Sequence, residues 1–114
     1  MNKYLKTALK IEIASESEDE AVIKITGNLS EDGIPVCEEY LAIEKLGRFN
    51  KVTLNLSQMD FISSAGISVL MKLLKAMSAE NKTLILLDPQ PQILKIFKLT
   101  RLDRAFQIVE SSIK

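Results

Sequence analysis

The sequence predicts an α/β fold: a small mixed sheet with parallel crossovers. Two observations carry this prediction. Strand-like and helix-like segments alternate along the chain in the order ββαβαβα, followed by a terminal element. Strands that are joined by helices are expected to run parallel with right-handed crossovers. Only a short acidic turn separates the first two strands, so these two are expected to pair directly across that turn. A length of 114 residues with 46% apolar residues suits one domain, residues 1–114, with a single core.

Five segments have the patterns of β-strands. In the first, Ile11 and Ile13 alternate with charged residues, which is typical of a half-buried strand. The fourth is almost wholly apolar, as expected at the centre of a covered sheet. The predicted segments are Lys10–Ala14, Ala21–Thr26, Lys51–Leu56, Thr83–Leu87 and a short strand that ends the segment Leu102–Val109.

Three segments have helical spacing. The first helix is predicted from about Pro35 to Leu46, and Gly47 can end it. Ser30 and Asp32 precede this helix as candidate N-caps. The second helix begins at a pair of serines and continues to near Ala79, and the third spans Pro91–Leu99. One side of the first helix is predicted to hold Val36, Tyr40, Ile43 and Leu46.

Composition argues against several function classes. Fifteen basic residues balance fifteen acidic ones, so there is no positive excess for direct binding of nucleic acid. The chain has no histidine, which excludes Ser-His-Asp and Cys-His triads and histidine metal sites. No paired catalytic constellation is visible, so we expect neither an enzyme nor a metal or cofactor site. Its one cysteine, Cys37, is expected to be a buried structural residue in a reducing compartment.

No apolar run reaches the ~20 residues that a membrane helix needs, and the N-terminal segment lacks the apolar core of a signal peptide. We therefore expect a cytoplasmic protein without direct membrane insertion.

The most informative segment is residues 54–74, LNLSQMDFISSAGISVLMKLL. It leads from a strand through Ser63 and Ser64 into a helix, with Gly66 in the first turn. The start of a helix has unpaired N–H groups and favours negative charge, so a serine there either caps the helix or accepts a phosphate. Glycine costs about 1 kcal/mol relative to alanine inside a helix, which suggests close approach of another backbone or of a ligand.

A helical wheel separates the two serines. At about 100° per residue, Ser64 falls on a polar side with Ser68, Lys72 and Lys75. Ser63 falls nearer the apolar side, so it is predicted to point inward or to cap the helix, and Ser64 to be exposed.

On the same wheel, Val69, Leu73 and Ala76 extend the apolar side of the helix, which becomes an arc wider than one buried face needs. Two interpretations stay open: a neighbouring helix covers this flank, or the flank is exposed beside Ser64 and docks a partner.

At these residues the chain resembles a STAS domain, in the family of anti-sigma factor antagonists. The resemblance spans nearly the whole chain. Its most specific part is VTLNLSQMDFISSAGISVL, residues 52–70, and weaker parts are ITGNL, residues 25–29, and LTRLDRAFQIVES, residues 99–111. It implies a small sheet with helices mainly on one face.

The resemblance also implies a phosphorylation switch. Matching the family's glycine to Gly66 places the phosphorylated residue at Ser64, with Ser63 as the second candidate. Ser63 and Ser30 then stand where the family often has aspartate. The unmodified protein is expected to bind an ATPase-type serine kinase that is also an anti-sigma factor, and a phosphatase is expected to restore binding. The partner surface is expected to include Ser30, Asp32, Ser63, Ser64, Gly66, Ser68, Val69 and Leu73.

An alternative follows from the same resemblance. STAS-like domains also serve as subunits of lipid-transport or membrane-transporter assemblies, in which case the serines are structural and the partner is constitutive.

Overall fold

The computed structural model describes residues 9–111. Strands and helices alternate after an initial hairpin, and two short 3₁₀ turns, Glu31–Gly33 and Leu102–Arg104, complete the connections. In chain order the elements are β1 Lys10–Glu16, β2 Glu20–Leu29, α1 Ile34–Tyr40, α2 Ile43–Leu46, β3 Lys51–Ile62, α3 Ser64–Ala79, β4 Thr83–Leu87, α4 Pro91–Leu99 and β5 Gln107–Val109.

The five strands form one mixed sheet in the order β1-β2-β3-β4-β5. β1 pairs antiparallel with β2, and each later pair is parallel. Because each crossover leads to the adjacent strand in the same direction along the sheet, right-handed connections place all the helices on one face. The α/β architecture with parallel crossovers is therefore confirmed.

The core lies between that face and the helices. Alternate residues of β2 and β3, such as Ile23, Ile25, Leu54 and Leu56, are fully buried there. The helices contribute Leu70 and Met77 from α3 and Ile93 and Phe97 from α4. The edge strands β1 and β5 contribute only the partly buried Ile11 and Ile108.

Three strands are longer than predicted. β1 continues past Ala14 to Glu16, β2 continues past Thr26 to Leu29, and β3 continues past Leu56 to Ile62. β2 and β3 stay paired along their extensions, although the pairing is irregular. Its register shifts between Lys24 and Thr26 and again after Gly27, whose φ is 99°. Each extension is stabilised by the other strand, which the local pattern of one segment does not show.

The predicted helix from Pro35 to Leu46 is two helices. Ala42 between α1 and α2 is extended, with φ −72° and ψ 145°. The buried side of α1 is the one that holds Cys37, with Leu41 one turn later, and the break brings Leu46 of α2 into the same core. The predicted side with Val36, Tyr40, Ile43 and Leu46 is therefore not one buried face, and Tyr40 is 48% exposed.

The short final strand predicted before Val109 is present as β5 and is tied to the end of β4. The carboxylate of Asp88 accepts bonds from the N–H and hydroxyl of Ser111, at 2.7 and 2.6 Å. These bonds hold the pKa of Asp88 below its usual value.

Candidate functional site

The carboxyl ends of β2 and β3 bring two distant segments together. Leu29 pairs with Ile62, and the next backbone bond runs from the N–H of Ser63 to the carbonyl of Leu29, at 2.9 Å. Ser30 and the 3₁₀ turn follow on one side, and the start of α3 follows on the other. The sheet therefore positions the predicted serine pair beside the segment that contains Ser30 and Asp32.

Ser63 is the N-cap of α3, as its place on the wheel suggested. Its backbone is extended, with φ −96° and ψ 174°, and its hydroxyl accepts the N–H of Gly66 at 3.1 Å. Its carbonyl accepts the N–H of Ile67 at 2.9 Å. Ser63 is half-buried and committed to holding the helix start.

Ser64 is the first residue of α3 and is exposed. Within residues 9–111, the N–H groups of Ser64 and Ala65 have no protein acceptor. The first turn holds no acidic residue. Free N–H groups and the positive end of the helix dipole favour an anion at this position.

Gly66 is buried where α3 meets the end of β2. A Cβ on this residue would lie 2.7 Å from the carbonyl oxygen of Leu29 and 2.7 Å from its Cγ. The close approach that its helical position suggested is therefore an approach of the protein's own backbone. Gly66 shapes the helix start and does not itself present a contact surface.

Ser30 and Asp32 flank the site from the side of β2. Ser30 is half-buried and begins the 3₁₀ turn, but its side chain makes no capping bond; its carbonyl accepts the N–H of Gly33 at 2.8 Å. Asp32 is exposed, and this turn contacts α3. The prediction that one of them caps a helix with its side chain is not met, because the chain enters α1 through Gly33.

The exposed polar side of α3 is present as predicted, but the apolar flank is not free. Ser68, Lys72 and Lys75 are exposed along with Ser64. Leu73 is only 3% exposed and belongs to the core, so the expectation of an exposed Leu73 is wrong. Helices α1 and α2 pack on α3 and cover it, which was the other interpretation of the wide arc.

What remains open of that flank is a groove of about 380 Å³ between α3 and the pair α1–α2. Val69 and Ala76 line it and are half-buried. Cys37 lies at its base, and burial, with a smaller effect of Glu38, raises the pKa of its thiol to about 11. Such a thiol stays protonated near neutral pH, which makes Cys37 a poor nucleophile.

Two contributors were not recognised in the sequence. The carbonyl of Leu29 accepts the N–H of Ser63, and it lies so close to Gly66 that a Cβ there would clash with it. Phe61, three residues before Ser64, is 48% exposed at the end of β3. The positions of Leu29 and Phe61 depend on the extension of β2 and β3 beyond the predicted strand ends. In the sequence, the apolar residues Leu29, Met59 and Ile62 are the signal for this extension.

Replacing Ser63 with alanine is expected to remove the cap of α3 and to lower the free energy of unfolding by about 1 kcal/mol. Ser64→Ala is the matched control, since Ser64 makes no side-chain bond within residues 9–111, and its effect should stay within about 0.5 kcal/mol. Urea denaturation of both variants measures the difference. Equal losses would contradict the division of roles between the two serines.

Comparison with known proteins agrees with this fold. The STAS domain family model matches residues 6–113. The chain belongs to the STAS domain family. Its fold is that of SpoIIAA, an anti-sigma factor antagonist solved in its unphosphorylated form, with a TM-score of 0.71, 16% identity and coverage of 90% of each chain.

Two further structures share the fold of this STAS domain. The phosphorylated form of SpoIIAA from Bacillus aligns with a TM-score of 0.70 and 19% identity over 92% of each chain. An anti-sigma factor antagonist from Mycobacterium paratuberculosis aligns with a TM-score of 0.77 and 17% identity, over 90% of this chain and 86% of that one. At these identities the likeness concerns the fold. Among residues 9–111, no helix has the length and apolarity to cross a membrane.

Proposed function

We propose that this STAS domain is an anti-sigma factor antagonist whose partner binding is controlled by phosphorylation of Ser64. Its partner is an ATPase-type serine kinase that is also an anti-sigma factor, and a phosphatase reverses the modification. The STAS domain performs no chemistry itself and acts in the cytoplasm as substrate and ligand. The observation that carries this proposal is the division of roles at the start of α3, where Ser63 caps the helix and Ser64 is left exposed.

The fold supports a phosphate at Ser64 without rearrangement. The side chain is exposed, the first turn has no acidic residue, and the N–H groups of Ser64 and Ala65 have no acceptor within residues 9–111. A phosphate adds about −1.5 to −2 charges near neutral pH, and the helix dipole offsets part of this charge. The modified protein is therefore expected to stay folded.

The same charge weakens a docked complex. A partner that covers Ser64 must desolvate the phosphate, which costs free energy unless the partner supplies a matching cation. The proposed partner surface keeps Ser64, Ser68 and the exposed Asp32, with Ser30, Ser63 and Val69 half-buried at its margin. Phe61 joins it as an exposed aromatic residue, a type that is enriched at interfaces. Leu73 and Gly66 support this surface from beneath.

Incubation with the kinase and ATP is expected to add one phosphate, at Ser64. Intact-mass and fragment analysis locates it. Ser64→Ala should abolish the modification, whereas Ser63→Ala, the matched neighbour, should still be modified. A phosphate confined to Ser63 or Ser68 would contradict the placement.

Replacing Ser64 with Asp or Glu is expected to weaken kinase binding, while Ser64→Ala leaves it largely intact. The effect should be smaller than that of phosphate, because a carboxylate carries one charge. Titration calorimetry compares these variants with Ser78→Asp, which adds the same charge at the exposed far end of α3. Equal affinity for all of them would make Ser64 structural and would favour a constitutive subunit of a transport assembly.

A further inference from the structure

The outer edge of β1 has no strand partner among the residues that the structure describes. Within residues 9–111, β1 pairs only with β2, so the N–H and C=O groups on its other side have no strand partner. Edge strands of this kind pair readily with another chain unless charge, proline or a covering segment blocks them. Two residues of β1 that face the helix layer are apolar: Ile11 lies opposite the buried Ile25, and Ile13 lies opposite the buried Ile23.

An apolar groove lies beside the same edge, on the helix side of the sheet. Its volume is about 450 Å³, and Ile11, Ile13, Leu46 and Phe49 line it. Ile13 is 57% exposed at its margin, a high value for an isoleucine within a strand. The open backbone edge and the groove are separate features, and a single partner strand laid along β1 would cover both.

We propose that the open edge of β1 binds a second copy of this chain, antiparallel, with Ile11 opposite Ile11 of the partner subunit. A two-fold axis perpendicular to the sheet then joins two five-stranded sheets and keeps both helix layers on the same side. The proposal is independent of the function proposed for Ser64.

Charge selects this register. With Ile11 at the axis, Lys10 lies opposite Glu12 of the partner subunit, and the pair occurs twice. Both residues face away from the helices, since Lys10 lies opposite Thr26 and Glu12 opposite Lys24 inside the subunit. Their side chains are 3.9 Å apart within one copy and both are exposed, so each can also face the opposite charge of the partner subunit. Opposite charges directly across an antiparallel ladder stabilise it, and like charges destabilise it.

The apolar residues agree with the same register. Leu9 is half-buried on the helix side, where a Cβ on Gly33 would lie 2.8 Å from its Cδ2. In the dimer Leu9 lies opposite Ile13 of the partner subunit, so the exposed isoleucine of each copy gains an apolar neighbour.

The neighbouring symmetric registers are worse. Centring on Glu12 places two glutamates at the axis, and centring on Lys10 places two lysines there. Centring on Ile13 sets Lys10 against Glu16 of the partner subunit, across the irregularity that follows Ile13. Glu16 is already paired with Arg48 at 3.2 Å, on the helix side. Because few residues pair, we expect a reversible dimer of micromolar affinity.

Sedimentation velocity of the full chain, from low micromolar to near-millimolar concentration, tests the proposal. Lys10→Glu and Glu12→Lys are each expected to weaken dimerisation about tenfold, because each creates two like-charge pairs. An equimolar mixture of the two variants should dimerise again, since every facing pair is then opposite in charge. Lys98→Glu, which changes an exposed charge on α4 as Lys10→Glu does on β1, should have no effect.

Cross-linking tests the register independently. Ile11→Cys is expected to form a disulfide between copies on mild oxidation, whereas Ile13→Cys, four positions away from its own symmetry mate, is not. Buried Cys37 should not interfere. A monomer at every concentration, a dimer indifferent to both charge reversals, or cross-linking at position 13 and not at position 11 would each overturn the proposal.

Discussion

Replacing Leu73 with lysine is expected to lower the free energy of unfolding by about 3–5 kcal/mol, the cost typical of an unpaired charge in a core. Leu73 is 3% exposed and packs in the core beneath α1 and α2. In a domain of about 100 residues, each kcal/mol lowers Tm by about 4–8 °C, so the thermal transition should fall by more than about 10 °C.

Two further variants make this result interpretable. Ser68→Lys adds the same charge on the exposed side of α3 and should shift stability by less than about 0.5 kcal/mol. Leu73→Asp is the second core variant. A lysine at this position can extend its stem so that the charge reaches water, whereas the short aspartate side chain cannot. Calorimetric melts of all three are compared. An unchanged Tm in both Leu73 variants would mean that this residue is free for a partner after all.

Replacing Gly66 with alanine is expected to destabilise the protein by about 1–3 kcal/mol. The sign is the informative part. Helix propensity alone predicts a gain of about 1 kcal/mol from this substitution. The added Cβ, however, would lie 2.7 Å from the backbone oxygen of Leu29, and a backbone atom cannot move away as a side-chain tip can. The helix start must shift, and the bond from Ser63 to the carbonyl of Leu29 shifts with it.

Ser68→Ala provides the control for Gly66→Ala. It lies in the same helix, is exposed, and should be neutral or slightly stabilising. Urea denaturation measures both free energies of unfolding. If Gly66→Ala stabilises the protein, the contact with β2 does not constrain the helix start. Phosphorylation of the Gly66→Ala variant by the kinase would then show whether the position of Ser64 depends on that contact.

Local periodicity predicted most of the secondary structure and the division between the serines. The chain order of strands and helices follows from apolar spacing, and α3 occupies the predicted segment. The opposite roles of Ser63 and Ser64 follow from a wheel, because exposure along one helix is periodic. The candidate site at the start of α3 could therefore be predicted from residues 54–74 alone.

Contacts between segments decided the rest. β2 and β3 extend to Leu29 and Ile62 because each completes the other's hydrogen bonds across irregular pairing, and a single segment does not reveal its partner. The break at Ala42 lets Leu46 of α2 join the core on the side that holds Cys37 and Leu41, and Tyr40 lies off that side and is exposed.

Residues 54–74 predicted a helix with a wide apolar arc that begins at two serines, and they predicted which serine is exposed. What covers that arc depends on contacts with other segments. Leu73 is core because α1 and α2 pack over it, and Gly66 is glycine because β2 ends against it. A periodic pattern predicts which side of a helix is apolar, but burial depends on the neighbouring segments, and these are distant in the chain.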